Sequence, residues 1–513
     1  MRRACDVNDS GRDLLVVSPG GTDWRHQVRL SLVGYNGTTM PSARKESSVP
    51  TIREQLDPLF RPRSVAIIGA TNDLRRWGGW VVDRPRRTGY QGRLYPVNPR
   101  ESEIQGLPAY PTVGAIPDEV DLAIIVVRAN LVPDIVEQCV AKGVRTGIVI
   151  SAGFAEVGEK GRALQERTLA AARAGGLRFV GPNCQGIYTA AASFNIMWPT
   201  APRPGSVAIV SQSGSYAAGL GSQLIARGFG VSACLSIGNQ ADLSLADYLE
   251  YLAEDQETRA ICLYVEGFTE GRRFFETAKA VAPRKPILIF KPGRTVTGAR
   301  SARGHTASLA VEDRLVEALC RQAGLVRAPE SDHLLDMADA VAAAGPAPGR
   351  RMAVVSGAGA QCVILSDACD ALGLELPPFD PATQARLQEL LPSHAPPARN
   401  PVDLGGPGPD PAMHVEVLEI IAALDYIDGV ITAPLSLGDG AALSEREQGL
   451  QERVTGLSRR YGKPLVLSGF RGAAPDSPDM RRYREAGMPA FFGEDCARAM
   501  YALVRYGEVQ RGE

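Results

Sequence analysis

The sequence predicts an α/β protein built from three consecutive parallel-sheet domains. Short runs of β-branched and aliphatic residues alternate with amphipathic stretches. Each run is continuously apolar rather than alternating, so both faces of each sheet need helices over them. The rhythm breaks and restarts twice. A chain of 513 residues also exceeds one core, since about 150 residues per domain gives roughly three domains.

The first domain is expected over 51–198. Its strand runs are Ser64–Gly69, Arg93–Asn98, Leu122–Val127, Thr146–Ser151 and Leu177–Gly181, with helical stretches at Leu131–Lys142 and Lys160–Ala174. Pro202-Arg203-Pro204-Gly205 marks the restart. The second domain, 199–345, carries Ser206–Val210, Val231–Ile237, Ala260–Val265 and Pro286–Phe290. An Ala/Pro/Gly linker, Ala342 to Gly349, leads into the third domain, 350–513, with runs at Met352–Ser356, Gly429–Ala433 and Pro464–Leu467. Residues 1–50 are rich in Ser, Gly, Thr, Asn and Arg without a sustained period, as expected of a disordered tail or an over-called start, with Met40 as an alternative initiator.

Composition narrows the function. Lys and Arg number 56 against 57 Asp and Glu. A protein that binds nucleic acid by neutralising phosphates needs a basic surplus, and so does a polybasic membrane anchor. No run approaches the roughly 20 apolar residues of a membrane span. The start carries no signal-peptide h-region. The 9 cysteines are scattered and form no CxxC pair. Reduced buried thiols in a cytoplasmic protein are expected.

Several strand ends carry chemistry. Gly69-Ala70-Thr71-Asn72-Asp73 closes the first run before Arg76-Trp77-Gly78-Gly79. A small-residue turn before a helix suits a nucleotide or pyrophosphate, because free N–H groups and the helix dipole favour anions. A bare tight turn reads the same way. The GxGxxG spacing is missing, and the second run ends Pro96-Val97-Asn98-Pro99 rather than in an acid for a ribose hydroxyl, which disfavours NAD. Ser151-Ala152-Gly153-Phe154 and Gly181-Pro182-Asn183-Cys184 end further strands, where open parallel sheets bind ligands. Cys184 reads either as a nucleophile or as a small buried residue of a binding loop. Ser211-Gln212-Ser213-Gly214-Ser215 opens a helix from Tyr216 to Arg227, as an anion cradle or simple N-capping. Ser356-Gly357-Ala358-Gly359-Ala360 repeats the pattern in the third domain.

His305 stands out among only five histidines. It lies in a loop of small residues, with Lys291, Arg294, Arg300 and Arg303 upstream. An imidazole is a competent nucleophile near neutral pH and can carry a phosphoryl group, while nearby cations stabilise the transferred charge. Such a histidine needs a carboxylate on its other ring nitrogen. Glu266, in Tyr264-Val265-Glu266-Gly267, is the candidate. A solvated loop histidine is the bland alternative.

Seven motifs in order give the chain a family resemblance: Ser64–Ala70, Tyr95–Pro99, Gly181–Cys184, Ser211–Gly214, Glu266-Gly267, Gly304-His305-Thr306 and Asn400–Leu404. Over about residues 51–510 the chain resembles the α subunit of ADP-forming acyl-CoA synthetases such as ADP-forming acetate–CoA ligase, and more distantly succinyl-CoA synthetase. The resemblance implies a Rossmann-like CoA-binding domain followed by two flavodoxin-like domains. It implies a CoA site at Gly69, Ala70, Thr71, Asn98 and Ser151. Asn183 and Cys184 would border the acyl group, His305 would be the phosphohistidine, and Glu266 would orient it. Ser211, Ser213 and Gly214 at one helix start, with Gly357 and Gly359 at another, would hold the phosphoryl group.

The implied reaction converts acyl-CoA and phosphate to acyl phosphate and CoA. His305 then takes the phosphoryl group, the acid leaves, and the histidine loop swings to ADP. No ATP-grasp domain fits in the roughly 110 residues after Asn400. ATP or ADP with Mg2+ is therefore expected on a partner β subunit in a hetero-oligomer, with no metal site on this chain. The third-domain loop departs from the family's Asn and Gly-Gly pattern, which weakens the second cradle. The partners expected are a small carboxylate and a CoA thioester, without nucleic acid or membrane. Related modules fused to acetyltransferases sense acyl-CoA without turnover, so a regulatory acyl-CoA-binding protein is the alternative; a nicotinamide-dependent reductase is disfavoured by the missing fingerprint.

Overall fold

Thr51 starts the first helix, α1 (Ile52–Phe60), through a reciprocal capping box with Glu54. The computed structural model describes residues 50–305, 312–406, 410–435, 444–469 and 478–513. The tail expected over 1–50 falls, but for Pro50, outside the described residues.

The first sheet contains β1 (Ser64–Ile68) and β2 (Arg93–Val97), followed outside the sheet by a hairpin of β3 (Glu103–Ile104) and β4 (Leu107–Pro108). Its other strands are β5 (Leu122–Ile125), β6 (Thr146–Val149) and β7 (Arg178–Val180). The order is β2-β1-β5-β6-β7, all parallel. Helices α2 (Trp77–Arg87), α3 (Val132–Lys142) and α4 (Glu159–Ala174) are the crossovers. Every residue of β1, β5 and β6 is buried, as continuous apolar runs require of a sheet covered on both faces.

The second sheet takes β8 (Gly186–Thr189), β9 (Phe194–Asn195), β10 (Pro204–Ser211), β11 (Val231–Ser236), β12 (Ala260–Tyr264), β13 (Ile287–Phe290) and β14 (Val326–Arg327). The order is β14-β13-β12-β10-β11-β8-β9. Helices α5 (Gly214–Ala226), α6 (Leu245–Glu254), α7 (Gly271–Val281), α8 (Val296–His305), α9 (Asp313–Ala323) and α10 (His333–Ala343) accompany it. Residues 186–195 were expected in the first domain, yet β8 runs antiparallel to β11, with Gly186 opposite Ser236 and Thr189 opposite Ala233. The pairing satisfies an open sheet edge with a distant segment, which no local pattern announces.

The third sheet, β15 (Met352–Ser356), β16 (Val402–Asp403), β17 (Gly429–Thr432), β18 (Leu465–Gly469) and β19 (Ala490–Phe492), is parallel in the order β16-β15-β17-β18-β19. Its helices are α11 (Gly359–Ala371), α12 (Pro381–Leu390), α13 (Pro411–Ala422), α14 (Glu445–Tyr461), α15 (Pro478–Glu485) and α16 (Asp495–Arg511). The architecture is the expected succession of three α/β layers, parallel apart from β8 and β9 at one edge of the second sheet.

The expected Ala-rich linker is not a free tether. Its start belongs to α10, and Ala342, Ala344 and Ala347 are buried in the same core as Ala497, Ala499 and Ala502 of α16. Small side chains let two backbones approach closely, so this stretch packs the second and third layers together. The first and second layers meet at α1 and α6, where Phe60 stacks on Tyr251 with ring centroids 3.9 Å apart. Arg178 of β7 reinforces the contact, reaching Gln55 at 2.6 Å and Asp242 at 2.9 Å. The eight described cysteines are buried and not disulfide-bonded. Among the described residues no helix is long and apolar enough to cross a membrane.

Candidate functional site

Six loops at the carboxyl ends of strands converge on one cleft of about 1180 Å³. They follow β5, β6, β7, β10, β11 and β12, so two sheets contribute their carboxyl edges to one site. Ser151, Asn183, Cys184, Ser213, Gly214 and Glu266 all line it. Residues expected to serve CoA, the acyl group, phosphate and the histidine therefore share one space.

On the first-sheet side, the Ser151 hydroxyl donates to Val127 O at 2.6 Å, and Ser151 O accepts the Asn183 amide at 2.9 Å. Asn183 sits in the left-handed region at φ 60°, which Asn tolerates better than most residues, and its side chain donates to Asn239 Oδ1 at 3.3 Å. Cys184 is 4% exposed, its thiol donates to Val149 O, and burial pushes its pKa up to about 12. A thiol in that state is not a nucleophile near neutral pH, so Cys184 is the small buried residue of a binding loop.

On the second-sheet side, Ser213 caps α5, its Oγ accepting the Tyr216 amide at 3.3 Å. Gly214 is the first helical residue, and a Cβ there would lie 2.5 Å from Gln185 Cγ. Ser211 is fully buried, does not line the cleft, and donates to Ser213 O at 2.8 Å, so it braces the turn from beneath. Gln212 clamps the next loop: its Oε1 accepts the amides of Glu266 (2.5 Å) and Gly267 (2.9 Å), and its Nε2 donates to Gly267 O (2.7 Å). Lys291, 5% exposed at the end of β13, adds a cation behind this edge. Burial pulls its pKa down and the Glu266 carboxylate works against that. α8 ends at His305. The His305 side chain and Thr306 lie outside the described residues.

The remaining expected positions do not line the cleft. Gly69 has φ 92°, and a Cβ there would stand 2.3 Å from Val126 O. Ala70 is fully buried and its carbonyl accepts the Asn98 amide group at 2.9 Å; Asn98 Oδ1 accepts the Arg100 amide. Thr71 Oγ1 accepts the Asp73 amide. These four shape the β1–α2 turn, and Trp77 is the residue beyond it that reaches the cleft. Gly357 and Gly359 flank the start of α11, where a Cβ on Gly359 would lie 2.7 Å from Asp403 Oδ2. A carboxylate beside a helix start competes with any anion there.

Sequence reasoning missed Glu156, Gln165, Asn239, Arg162 and the role of Gln212. Gln212 lies within Ser211–Ser215, so its position is visible in the sequence though its bonding is not. The others lie in polar stretches without a motif. Arg162 is the only cationic side chain among the described lining residues. No cluster of three metal-ligating side chains occurs among the described residues.

Comparisons agree with this architecture. Residues 63–190 match the CoA binding domain family, and residues 204–341 match the succinyl-CoA ligase-like flavodoxin domain. The α subunit of acetate–CoA ligase [ADP-forming] II from Pyrococcus furiosus is 38% identical over 454 residues, covering 88% of this chain and 97% of that one. The α subunit of the same organism's acetate–CoA ligase [ADP-forming] I is 35% identical over 472 residues, covering 88% and 98%. The structure of the dinucleotide-forming acetyl-coenzyme A synthetase 1 from Ca. Korarchaeum cryptofilum, in complex with phosphate and ADP, superimposes with a TM-score of 0.76 at 28% identity, covering 89% of this chain and 97% of that one. With a CoA-binding layer, a succinyl-CoA ligase-like layer and relatives of this identity along nearly their whole length, the chain belongs to the family of ADP-forming acetate–CoA ligase α subunits.

Proposed function

We infer that the chain works as the α component of an acid–thiol ligase, interconverting acyl-CoA, phosphate and ADP with a carboxylic acid, CoA and ATP. The observation that carries this reading is the shared cleft, in which Ser151, Asn183, Ser213, Gly214 and Glu266 face one volume. Phosphate attacks the thioester carbonyl, the C–S bond breaks, and CoA leaves as the thiolate. The acyl phosphate stays beside Asn183. The start of α5, with Ser213 and Gly214, supplies N–H groups and a positive dipole end to the phosphoryl oxygens. Ser211 supports that turn from below, and the start of α11 with Gly357 and Gly359 is a second cradle only where a cation or proton offsets Asp403.

His305 attacks phosphorus, the P–O bond to the acyl group breaks, and the acid leaves as carboxylate. Glu266 orients the imidazole and stabilises the charge that develops on it. CoA is placed across the carboxyl edge of the first sheet, near Ser151, with Gly69, Ala70, Thr71 and Asn98 shaping the adjoining turn. The nucleotide with its Mg2+ is assigned to a β subunit, giving a hetero-oligomer in the cytoplasm. No observation favours the acyl-CoA-sensing alternative.

The test incubates the purified chain with labelled phosphate and a panel of acyl-CoAs, beside His305→Asn. Acid-labile, base-stable label on the wild type and none on the variant is expected. CoA thioesters that bind without any labelling, even after a β subunit is supplied, would sink the ligase reading.

A further inference from the structure

Tyr216 lies in the first turn of α5, and no step of the proposed chemistry uses it. Its ring stacks on the ring of Tyr264, the last residue of β12, with centroids 4.1 Å apart and planes 26° from parallel. Its hydroxyl donates to Ser331 O at 3.1 Å, and the same carbonyl accepts the Leu334 amide in the first turn of α10. Its own amide goes to Ser213 Oγ at 3.3 Å. Burial pushes the phenol pKa up, so the hydroxyl stays protonated and remains a donor.

The residues next to these two rings are those of the site. Tyr264 pairs with Ser211 across β10 and β12, and its carbonyl accepts the Gln212 amide at 3.1 Å. Glu266 stands two residues beyond it. Tyr264 also tilts against Phe290 with centroids 5.8 Å apart, and Lys291 follows Phe290. The Tyr216–Tyr264 stack therefore joins the helix start that carries Ser213 and Gly214 to the strand end that carries Glu266.

Tyr216 is the one large side chain in that first turn, beside Gly214, Ser215 and Ala217. Trp198 Nε1 bonds Ala217 O and Ala218 O at 3.1 Å, and so grips the helix further along. The Gln212 clamp holds the Glu266 loop from the segment before the helix. Neither takes the place of a side chain that reaches from the helix start to β12.

We propose that Tyr216 is a positioning residue: its ring, stacked on Tyr264, sets the spacing between the Ser213–Gly214 helix start and Glu266, and with it the rate of phosphoryl transfer to His305. The inference rests on the reading of the helix start as the phosphoryl cradle and of Glu266 as the group that orients the histidine. In that step the P–O bond to the acyl group breaks as the N–P bond forms, so the cradle and the imidazole must be held at a fixed separation. An error of about 1 Å in such a placement costs up to about 10²-fold in rate.

Three variants separate the ring from the hydroxyl. Tyr216→Leu removes both, Tyr216→Phe keeps the stack, and Tyr264→Leu removes the stack from its other side. Rapid-quench labelling of the full chain uses labelled inorganic phosphate with acetyl-, butyryl- or phenylacetyl-CoA, whichever labels the wild type fastest, and with a β subunit where the wild type needs one. The maximal labelling rate is expected to fall about tenfold in either Leu variant and to stay within about threefold of wild type in Tyr216→Phe. The phosphate concentration at half-maximal rate and the CoA affinity by calorimetry should each change by less than about threefold, because the N–H groups and the Ser213 cap persist. The double Leu variant should lose little more than either single, since both remove one interaction. Melting temperature, measured alongside, identifies a variant that merely unfolds, and Tyr264→Leu, at a half-buried position, carries the test if Tyr216→Leu does not fold. Folded Leu variants that label at the wild-type rate, losses shared equally by CoA binding and labelling, or losses that add in full in the double variant overturn the proposal and leave the ligase reading intact. A wild type that takes no label, even with a β subunit, overturns the ligase reading and this role with it.

Discussion

Gln212 and Glu266 are joined so that one side chain holds the other's backbone: Gln212 Oε1 accepts the Glu266 amide at 2.5 Å and the Gly267 amide at 2.9 Å, while Nε2 returns a bond to Gly267 O. The loop that carries the histidine-orienting candidate is thereby tied to the loop that carries the Ser213 cradle.

Gln212→Ala removes all three bonds. At about 1 kcal/mol net for each, the loss of stability is about 2–3 kcal/mol. A larger effect is expected on phosphoryl transfer, about 10²-fold, since misplacing a positioning group by about 1 Å costs that much. Rapid-quench labelling with acyl-CoA and phosphate, beside a denaturant melt, separates the two. A variant that loses stability and keeps its labelling rate contradicts the assignment.

Cys184 is expected to be inert. Its thiol is buried with a pKa of about 12, so alkylation by iodoacetamide at pH 8 should leave it unmodified in the folded chain. Cys184→Ala should cost about 1–2 kcal/mol of packing and less than about tenfold in labelling. Rapid, site-specific alkylation seen by mass spectrometry would contradict the buried-thiol picture.

Gly78 has no room for a methyl group: its Cβ would fall 2.1 Å from Gly69 O. Gly78→Ala should push α2 off the β1 turn, at a cost of about 2–4 kcal/mol, and weaken CoA binding because Trp77 moves with the helix. Thermal denaturation and CoA titration of the same sample check both parts. Gly89→Ala is the control: nothing lies within 4 Å of its Cβ, so only its positive φ is strained and CoA affinity should hold.

His414 makes the third domain acid-sensitive. It is 1% exposed, bonded to Thr432 Oγ1 at 2.9 Å, and burial lowers its pKa from 6.5 to about 4. The unfolded chain binds a proton below pH 6.5 and the folded chain does so only near pH 4. Stability is therefore lost as pH falls through that window, by about 3 kcal/mol for a shift of this size. His414→Gln should remove this contribution while keeping a partner for Thr432. Parallel pH-dependent melts of wild type and variant should diverge between pH 6.5 and 4; curves that stay parallel would exclude a buried neutral imidazole.

The sequence by itself determined the three α/β layers with their parallel strand runs and the strand-end loops that matter. Continuous runs such as Leu122–Val127 announce burial on both faces, and ligand loops of parallel sheets must lie at strand carboxyl ends, so Ser151, Asn183, Ser213 and Glu266 were legible. Only the tertiary structure decided where β8 pairs, because an antiparallel partner 45 or so residues away leaves no local period. It also decided that the Ala342–Ala347 stretch is buried packing rather than linker. The bonded chain that Glu156 and Gln165 make through Asn239 to Asn183 was equally hidden: Glu, Asn and Gln are ordinary surface residues until folding brings their donors and acceptors within 3.3 Å of one another across two sheets. Periodicity reports which face of an element is apolar; it carries no information on which distant polar groups will meet once those faces are buried.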